Sequence, residues 1–340
     1  MLSMSKCSAS QTTIFLLGTL PPPMGGVSVY CLRRINQLAT TRTKCVLFDT
    51  KSTLSILKLW YFSILYRLTN RPFTIEINTS NPIAIFLLNI LGLLPNSIFV
   101  DHNSSRRFKG KHKEAQLLNL ARFCKQIKLV NSDLIKNYQD AGVRDFKNFS
   151  VFSPYIRPTD EEIEAAHLTH RQSLSKLVSN NGRNIVLSSA WKPTIHEDGK
   201  DLYGIIDTLE IYKELAPSHP EIQFVFLIGE TDSSQLCTSA TKTALQLSQE
   251  FQNFHFLCGG IPQWPLLKNT IVLLRLTRTD GDSVSVREAL DFGAEVIATD
   301  VCSRPTGVHL TSLDDIQQTR DLLKSILRVV LQRTPMPCRA

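Results

Sequence analysis

The sequence is short of the features that mark several broad protein classes. It holds no run of about 18 uninterrupted apolar residues, and even Leu54 to Leu68 is broken by Lys58 and Arg67, so no membrane-spanning helix is expected. Its eight cysteines (Cys7, Cys31, Cys45, Cys124, Cys237, Cys258, Cys302, Cys338) are scattered, with no C-x-x-C pair and no histidine cluster at ligand spacing. That pattern offers no disulfide framework and no metal site, and predicts reduced, structural cysteines in a cytoplasmic compartment. No G-x-G-x-x-G occurs, which argues against a dinucleotide-dependent dehydrogenase. The first dozen residues lack a charged segment followed by a clean cleavage site, and Ile14 to Leu20 is too short for a signal core, so no secretory signal is expected. Basic residues are not interleaved with stacking aromatics, which disfavours nucleic acid as a partner. There is no short repeat and no low-complexity tract.

What is present fits a globular protein of two domains. A chain of 340 residues exceeds what one core usually supports. Apolar content of 43% and charged content of 20% are ordinary for such domains. The net charge of +8 is unevenly spread: residues 1–160 carry 21 Lys and Arg against 8 Asp and Glu, and the remainder 17 against 22. Part of the excess lies in Arg106, Arg107, Lys109, Lys111 and Lys113, followed by Arg122, Lys125 and Lys128 around Leu117, Leu118, Leu120 and Phe123. An amphipathic basic helix of this kind can rest on an anionic membrane surface, which would place the protein peripherally on the inner face of the cytoplasmic membrane. A solvated charged face is the competing reading.

Strand-like and helix-like segments alternate along the chain. Candidate strands are Ile14–Gly18, Cys45–Asp49, Phe73–Ile77, Ile98–His102, Ile127–Asn131 and Asn148–Phe152. Helical patterns at Val27–Leu38, Leu54–Leu68, Ile83–Leu94, Lys113–Cys124 and Asp133–Ala141 separate them. After the polar stretch Arg157–Gly182, a second series of strands runs Ile185–Ser189, Gln223–Gly229, Phe254–Cys258, Ile271–Arg275 and Glu295–Thr299, with helices at Leu202–Leu215, Ala240–Phe251 and Ser283–Phe292. Both halves read as doubly wound α/β units, and Asp314–Gln332 as a closing amphipathic helix. The tail after it is expected to be disordered.

The segment Leu274 to Val308 carries the most chemistry. A buried strand ends at Arg275, an acidic turn follows, and a helix opens near Ser283. Asp280, Gly281, Asp282 and Ser283 put two carboxylates, a flexible backbone and a hydroxyl where helix N–H groups and the positive dipole end favour an anion. Asp280 and Glu288 are separated by seven residues, about two helical turns, so both can project to one side of the helix start. One acid can address hydroxyls near phosphates and the other a ribose further along, and a sugar nucleotide has those parts. Simple helix capping by Asp282, Ser283 and Ser285 is the competing reading.

This segment resembles the E-x7-E region of retaining glycosyltransferases of family 4, and in particular a polysaccharide-biosynthesis subgroup with a D-G-D-S-V-S-V-R-E-A-L run followed by V-I-A-T-D and S-R-P-x-G. The sequence departs from the pattern at Asp280, where the family has Glu, and at Leu276, where the subgroup often has Pro. The resemblance implies a GT-B fold, two Rossmann-like doubly wound parallel-sheet domains facing a cleft. It sets an acceptor-side domain at residues 1–160, a nucleotide-sugar-binding domain at 161–312, and a helix and tail at 313–340 returning to the first domain. It implies a hexosyltransferase moving a sugar from a nucleoside diphosphate donor, a UDP-sugar, to a growing and lipid-linked surface glycan.

The same resemblance distributes roles along the chain. Gly25 and Gly26, in a run similar to the family's P-P-x-G-G-V-S loop, approach the donor diphosphate. His102, flanked by Asp101 and Asn103, closes its strand where ligands bind in such sheets and is expected to meet the donor sugar. Lys200 corresponds to the family's phosphate-binding lysine. Lys192 stands near the place of its arginine, beside Ala190 and Trp191, and a solvated loop lysine is the competing reading. Gly229 with Glu230, and the stretch Gly259 to Trp264 with Ile261 and Pro262, fall on the uridine side. Asp280 holds sugar hydroxyls, Glu288 the ribose, and Lys200 with Gly281, Asp282, Ser283, Val284 and Ser285 the diphosphate. Arg304 contacts donor or acceptor. No cofactor and no metal are expected, since cations and helix ends stabilise the leaving phosphate in GT-B enzymes. Two alternatives stay open: a sugar-nucleotide 2-epimerase of the same fold, and a non-catalytic scaffold at the membrane.

Overall fold

A computed structural model describes residues 12–22, 24–52, 54–103, 119–178 and 183–333. The chain divides into two compact units, residues 1–21 with 26–156, and 22–25 with 157–340.

In the first unit six parallel strands lie in the order β2-β1-β3-β4-β5-β6. They are β1 (Thr13–Gly18), β2 (Cys45–Asp49), β3 (Phe73–Ile77), β4 (Ser97–Asp101), β5 (Gln126–Leu129) and β6 (Phe149–Val151). The helices α1 (Gly26–Thr40), α2 (Leu54–Leu68), α3 (Pro82–Ile90) and α4 (Leu134–Asp140) connect them. Parallel strands need crossovers, and helices on both faces bury both sides of the sheet, which explains the almost unbroken apolar runs. Phe15, Leu17, Ile75 and Phe99 pack against Leu59 of α2 and Ile85 and Leu88 of α3, while Leu16 meets Tyr30 and Cys31 of α1 on the other side. The expected helix Lys113–Cys124 lies partly outside the described residues; its end, Asn119–Phe123, is a 3-10 turn. The basic residues from Arg106 to Lys113 are also outside them.

The second unit repeats the plan with β7 (Ile185–Ala190), β8 (Gln223–Ile228), β9 (Phe254–Cys258), β10 (Thr270–Arg275), β11 (Glu295–Thr299) and β12 (Val308–Thr311). These are parallel and ordered β12-β11-β10-β7-β8-β9. The helices are α5 (Asp160–Thr169), α6 (Arg171–Leu174), α7 (Ile205–Leu215), α8 (Gln235–Glu250), α9 (Trp264–Leu267), α10 (Val284–Asp291) and α11 (Ile316–Arg333). The strand order reverses between β7 and β10, and such a switch opens a crevice at the strands' carboxyl ends. Leu323, Ile326 and Leu327 of α11 join the second unit's core, and Lys324 pairs with Glu214 of α7 at 2.7 Å. An amphipathic stripe packs on the nearest apolar surface, here α7. Among the described residues no helix is long and apolar enough to cross a membrane.

Candidate functional site

The carboxyl end of β10 is the centre of the candidate site. β10 lies between β7 and β11, and its apolar residues are buried, so the chain that leaves it starts from a fixed point. Leu276 crosses Gly204 so closely that a Cβ at Gly204 would stand 2.3 Å from the Leu276 carbonyl oxygen. Gly204 also has φ +61°, so glycine is required twice over. The Thr277 hydroxyl lies 3.0 Å from the Leu202 carbonyl, Arg278 N–H donates to the same carbonyl at 2.8 Å, and the Thr299 hydroxyl donates to the Thr277 carbonyl at 2.5 Å. These bonds pin the acidic turn between the loop before α7 and the end of β11.

Asp280 sits in this turn between two arginines. Arg275 Nε donates to its Oδ2 at 3.1 Å and Arg304 Nη1 donates to the same oxygen at 2.8 Å. All three side chains are largely buried. Burial by itself would raise the Asp280 carboxyl, but the two guanidiniums outweigh it and hold the group below the usual carboxylate value. Two cations facing one anion leave a surplus positive charge at the end of β10. Arg304 adds a second feature: its Nη2 is buried with no hydrogen-bond partner among the described residues. A buried guanidinium N–H without an acceptor is costly and marks a place for one.

The helix that follows is arranged around its own pairs. Asp282 accepts from Arg287 Nε at 2.7 and 2.6 Å. The formal D-x-D of Asp280 and Asp282 is therefore engaged by arginines on both members. Ser283 is the N-terminal residue before α10, yet its side chain makes no capping bond and lies 2.9 Å from the Ser285 hydroxyl. Glu288 faces inward, 2% exposed, and accepts from Gln263 Nε2 at 2.7 Å. Gln263 in turn accepts from the Ser189 hydroxyl at 2.8 Å, at the end of β7. Asp280 thus turns to the β10 and β11 ends, and Glu288 to the side of β7.

The lysines and glycines predicted around this centre take the following places. Lys200 pairs with Asp314 at 2.8 Å, and Arg278 grips Asp314 through both terminal nitrogens while its Nε bonds Asp198 at 2.7 Å. Asp198 is affected first by burial, which raises it, but the Lys200 backbone N–H, Arg278 and His196 together bring it down to about 2. Lys192 pairs with Asp232 at 3.0 Å. At Gly229 an added Cβ would stand 2.2 Å from the Trp191 ring, so the glycine lets the indole lie across the end of β8. Ile261 is buried in the same unit. At Gly25 an added Cβ would meet nothing, and Gly26 begins α1.

His102 belongs to a separate polar network in the first unit. Its Nε2 lies 3.0 Å from Asn78 Oδ1, Asn78 Nδ2 donates to Glu76, and Tyr30 and Arg34 also donate to Glu76 at 3.1 Å each. Only part of the residue reaches solvent, and burial pushes the imidazole down to about 4. It is neutral at pH 7. Asp101 is fully buried and accepts from the Tyr138 hydroxyl at 2.8 Å, while Asn103 is held by Asp101 and Ser80.

Sequence reasoning singled out the acidic turn and Arg304, and took in Gln263 only as part of the stretch Gly259 to Trp264, but not Arg275 or Arg278. Arg275 carried a faint signal as a cation ending an otherwise apolar strand. The bond between Gln263 and Glu288 carried none, because it exists only in the folded chain.

No protein-family model matches the chain, and no curated protein matches it in sequence. Solved structures do resemble it. HepE of Anabaena in complex with UDP-glucose matches at a TM-score of 0.64 with 12% identity, over 94% of this chain and 91% of that one. An α,α-trehalose-phosphate synthase (UDP-forming) of Burkholderia vietnamiensis matches at 0.62 with 11% identity, over 96% and 90%. The lipopolysaccharide outer core galactosyltransferase WaaB, without ligand, matches at 0.57 with 12% identity, over 94% and 91%. The chain has the α/β fold of these GT-B glycosyltransferases, two six-stranded parallel sheets with alternating helices.

Proposed function

We propose that this protein is a retaining glycosyltransferase of family 4 that moves a hexosyl group from a UDP-sugar to a hydroxyl of a growing surface glycan, carried on a lipid. The observation that carries the reading is the buried Arg275–Asp280–Arg304 cluster, with its surplus positive charge and the unmatched Arg304 Nη2, at the carboxyl ends of the strands beside the switch in strand order. A diphosphate is the anion that such a site accommodates, and similar folds occur in proteins solved with UDP and UDP-glucose.

In this reading Asp280 presents a carboxylate fixed by two guanidiniums to the sugar hydroxyls. Glu288, held by Gln263, receives the ribose, and Lys200 with Arg304 and the start of α10 takes the diphosphate. The bond from the anomeric carbon to the diphosphate breaks with its electron pair left on the phosphate, where the cations stabilise it. The departing phosphate oxygen takes the acceptor's proton as the new glycosidic bond forms on the same face.

Saturation-transfer NMR against UDP-glucose, UDP-galactose, UDP-GlcNAc, GDP-mannose and UDP tests the donor site, with Glu288→Ala as the control. One nucleotide sugar is expected to bind and to be lost in the variant. No binding by any of them would sink the assignment. Conversion of the donor without acceptor would favour the epimerase, and binding with no UDP release on any acceptor the scaffold.

A further inference from the structure

Helix α2 has two apolar faces, and only one of them is used by the fold. Ile56, Leu59, Ser63 and Tyr66 turn into the first unit. Opposite them, Leu54, Leu57, Tyr61, Leu65 and Leu68 recur at i, i+3, i+7, i+11 and i+14 and are all exposed, Leu68 to 78%. Beside α2, helix α3 adds Ile83, Phe86 and Ile90 at i, i+3 and i+7, with Ile83 66% exposed. Arg67 Nη2 donates to the Gly92 carbonyl at 3.2 Å and ties the end of α2 to the turn after α3. Scattered exposed leucines need no explanation, but two adjoining helices with an apolar outer stripe mark an interaction surface.

The charge around this surface identifies its partner. From residue 50 to residue 100 the sole acid is Glu76, which is buried and bonded by Tyr30 and Arg34. Lys51, Lys58, Arg67 and Arg71 are exposed over the same span. Apolar stripes that carry cations and no acid of their own complement a surface that is apolar inside and anionic outside, which describes a bilayer containing acidic phospholipid. Trp60 and Tyr61, both exposed, are side chains suited to the headgroup level. With 15 residues α2 is roughly 22 Å long, shorter than the apolar thickness of a bilayer, so it would lie in the interface rather than cross.

We propose that the outer faces of α2 and α3 dock the protein on anionic lipid bilayers. None of its residues belongs to the basic stretch from Arg106 to Lys113, and the surface stands independently of the donor assignment.

The test is flotation of the full chain with vesicles of phosphatidylglycerol mixed with phosphatidylcholine, and with phosphatidylcholine alone. Binding is expected to the mixed vesicles and to weaken with salt. A Leu57→Glu, Leu65→Glu pair should weaken it at least about a hundredfold, since each leucine would lose its apolar burial. A Lys51→Gln, Lys58→Gln pair should weaken it roughly ten- to thirtyfold, at about fivefold per cation. All four positions are exposed, so circular dichroism and thermal midpoints should not change. Trp60 emission should shift to the blue with mixed vesicles, and the shift should vanish in Trp60→Phe. Failure of the wild-type chain to float would overturn the proposal. So would flotation that survives both pairs, or self-association in solution that the leucine pair abolishes while flotation is absent.

Discussion

Replacing Asp280 by Asn keeps the shape of the side chain but removes the anion between two guanidiniums. In the folded protein Arg275 and Arg304 would then face each other with no buried counter-charge. Breaking a buried pair from one side costs about 3–5 kcal/mol, whereas an exposed pair is worth about 0–1. The near-complete burial of Arg304 and Asp280, at 3% and 10% side-chain exposure, places this cluster in the first class. Urea denaturation can isolate the second unit, because Trp191 and Trp264 lie there and Trp60→Phe silences the first. We expect Asp280→Asn to lower the stability of the second unit by about 3–5 kcal/mol, and a further Arg304→Met change to cost less than it does in the wild-type background. The pH dependence follows from the depressed carboxyl. Its contribution is full above the unfolded value of about 3.9 and is lost as pH falls through the lower folded value, so the gap between wild type and variant should narrow below about pH 4. On the proposed donor reading, UDP should raise the midpoint more in the variant than in wild type, since two uncompensated cations would face its diphosphate. A loss under about 1 kcal/mol, or strict additivity with Arg304→Met, would refute the buried-cluster reasoning.

Other substitutions probe the scaffold around the site. Gly204→Ala joins a left-handed backbone to a 2.3 Å clash with a carbonyl, and should cost about 3 kcal/mol or more, read as a lowered midpoint or loss of soluble protein. Gly229→Ala forces the Trp191 ring aside, and should cost about 1–3 kcal/mol with a change in Trp191 emission; unchanged emission would contradict the packing. The His102 imidazole should titrate near 4 by NMR, and a midpoint at 6.5 or above would refute its burial. Because that value is depressed, its stabilisation is full above the unfolded value of about 6.5 and falls toward pH 4, by at most about 3 kcal/mol. His102→Gln should flatten stability over that window.

The parts of the fold legible in the sequence were those with a local cause. β10 is a continuous apolar run because both faces of its sheet are covered, and α8 shows its inward stripe through Ala240, Ala244 and Leu247. β12 escaped because Val308–Thr311 is an edge strand with only Thr311 buried. Helix α5 escaped because Ile163 is its sole buried side chain, although Thr159 caps it with a bond from Glu162 N–H. In the candidate site the acidic turn was readable, since strand, turn and helix follow one another in sequence. Its electrostatics were not. Arg304 comes from 24 residues beyond Asp280, and the Gln263–Glu288 bond spans 25, so each depends on the order in which strands lie in the sheet.

The Lys200 ammonium is held differently from the arginines near it. Its carboxylate partner, Asp314, is already gripped by Arg278 through both terminal nitrogens, so Asp314 stays satisfied if Lys200 leaves. The lysine is 59% exposed on its flexible stem, and such a pair is worth about 0–1 kcal/mol. Lys200 is thus a cation in reserve, parked beside an anion that does not depend on it. On the proposed donor reading, leaving Asp314 for a phosphate would cost this lysine only about 0–1 kcal/mol, while Arg278 keeps the loop that carries it in place.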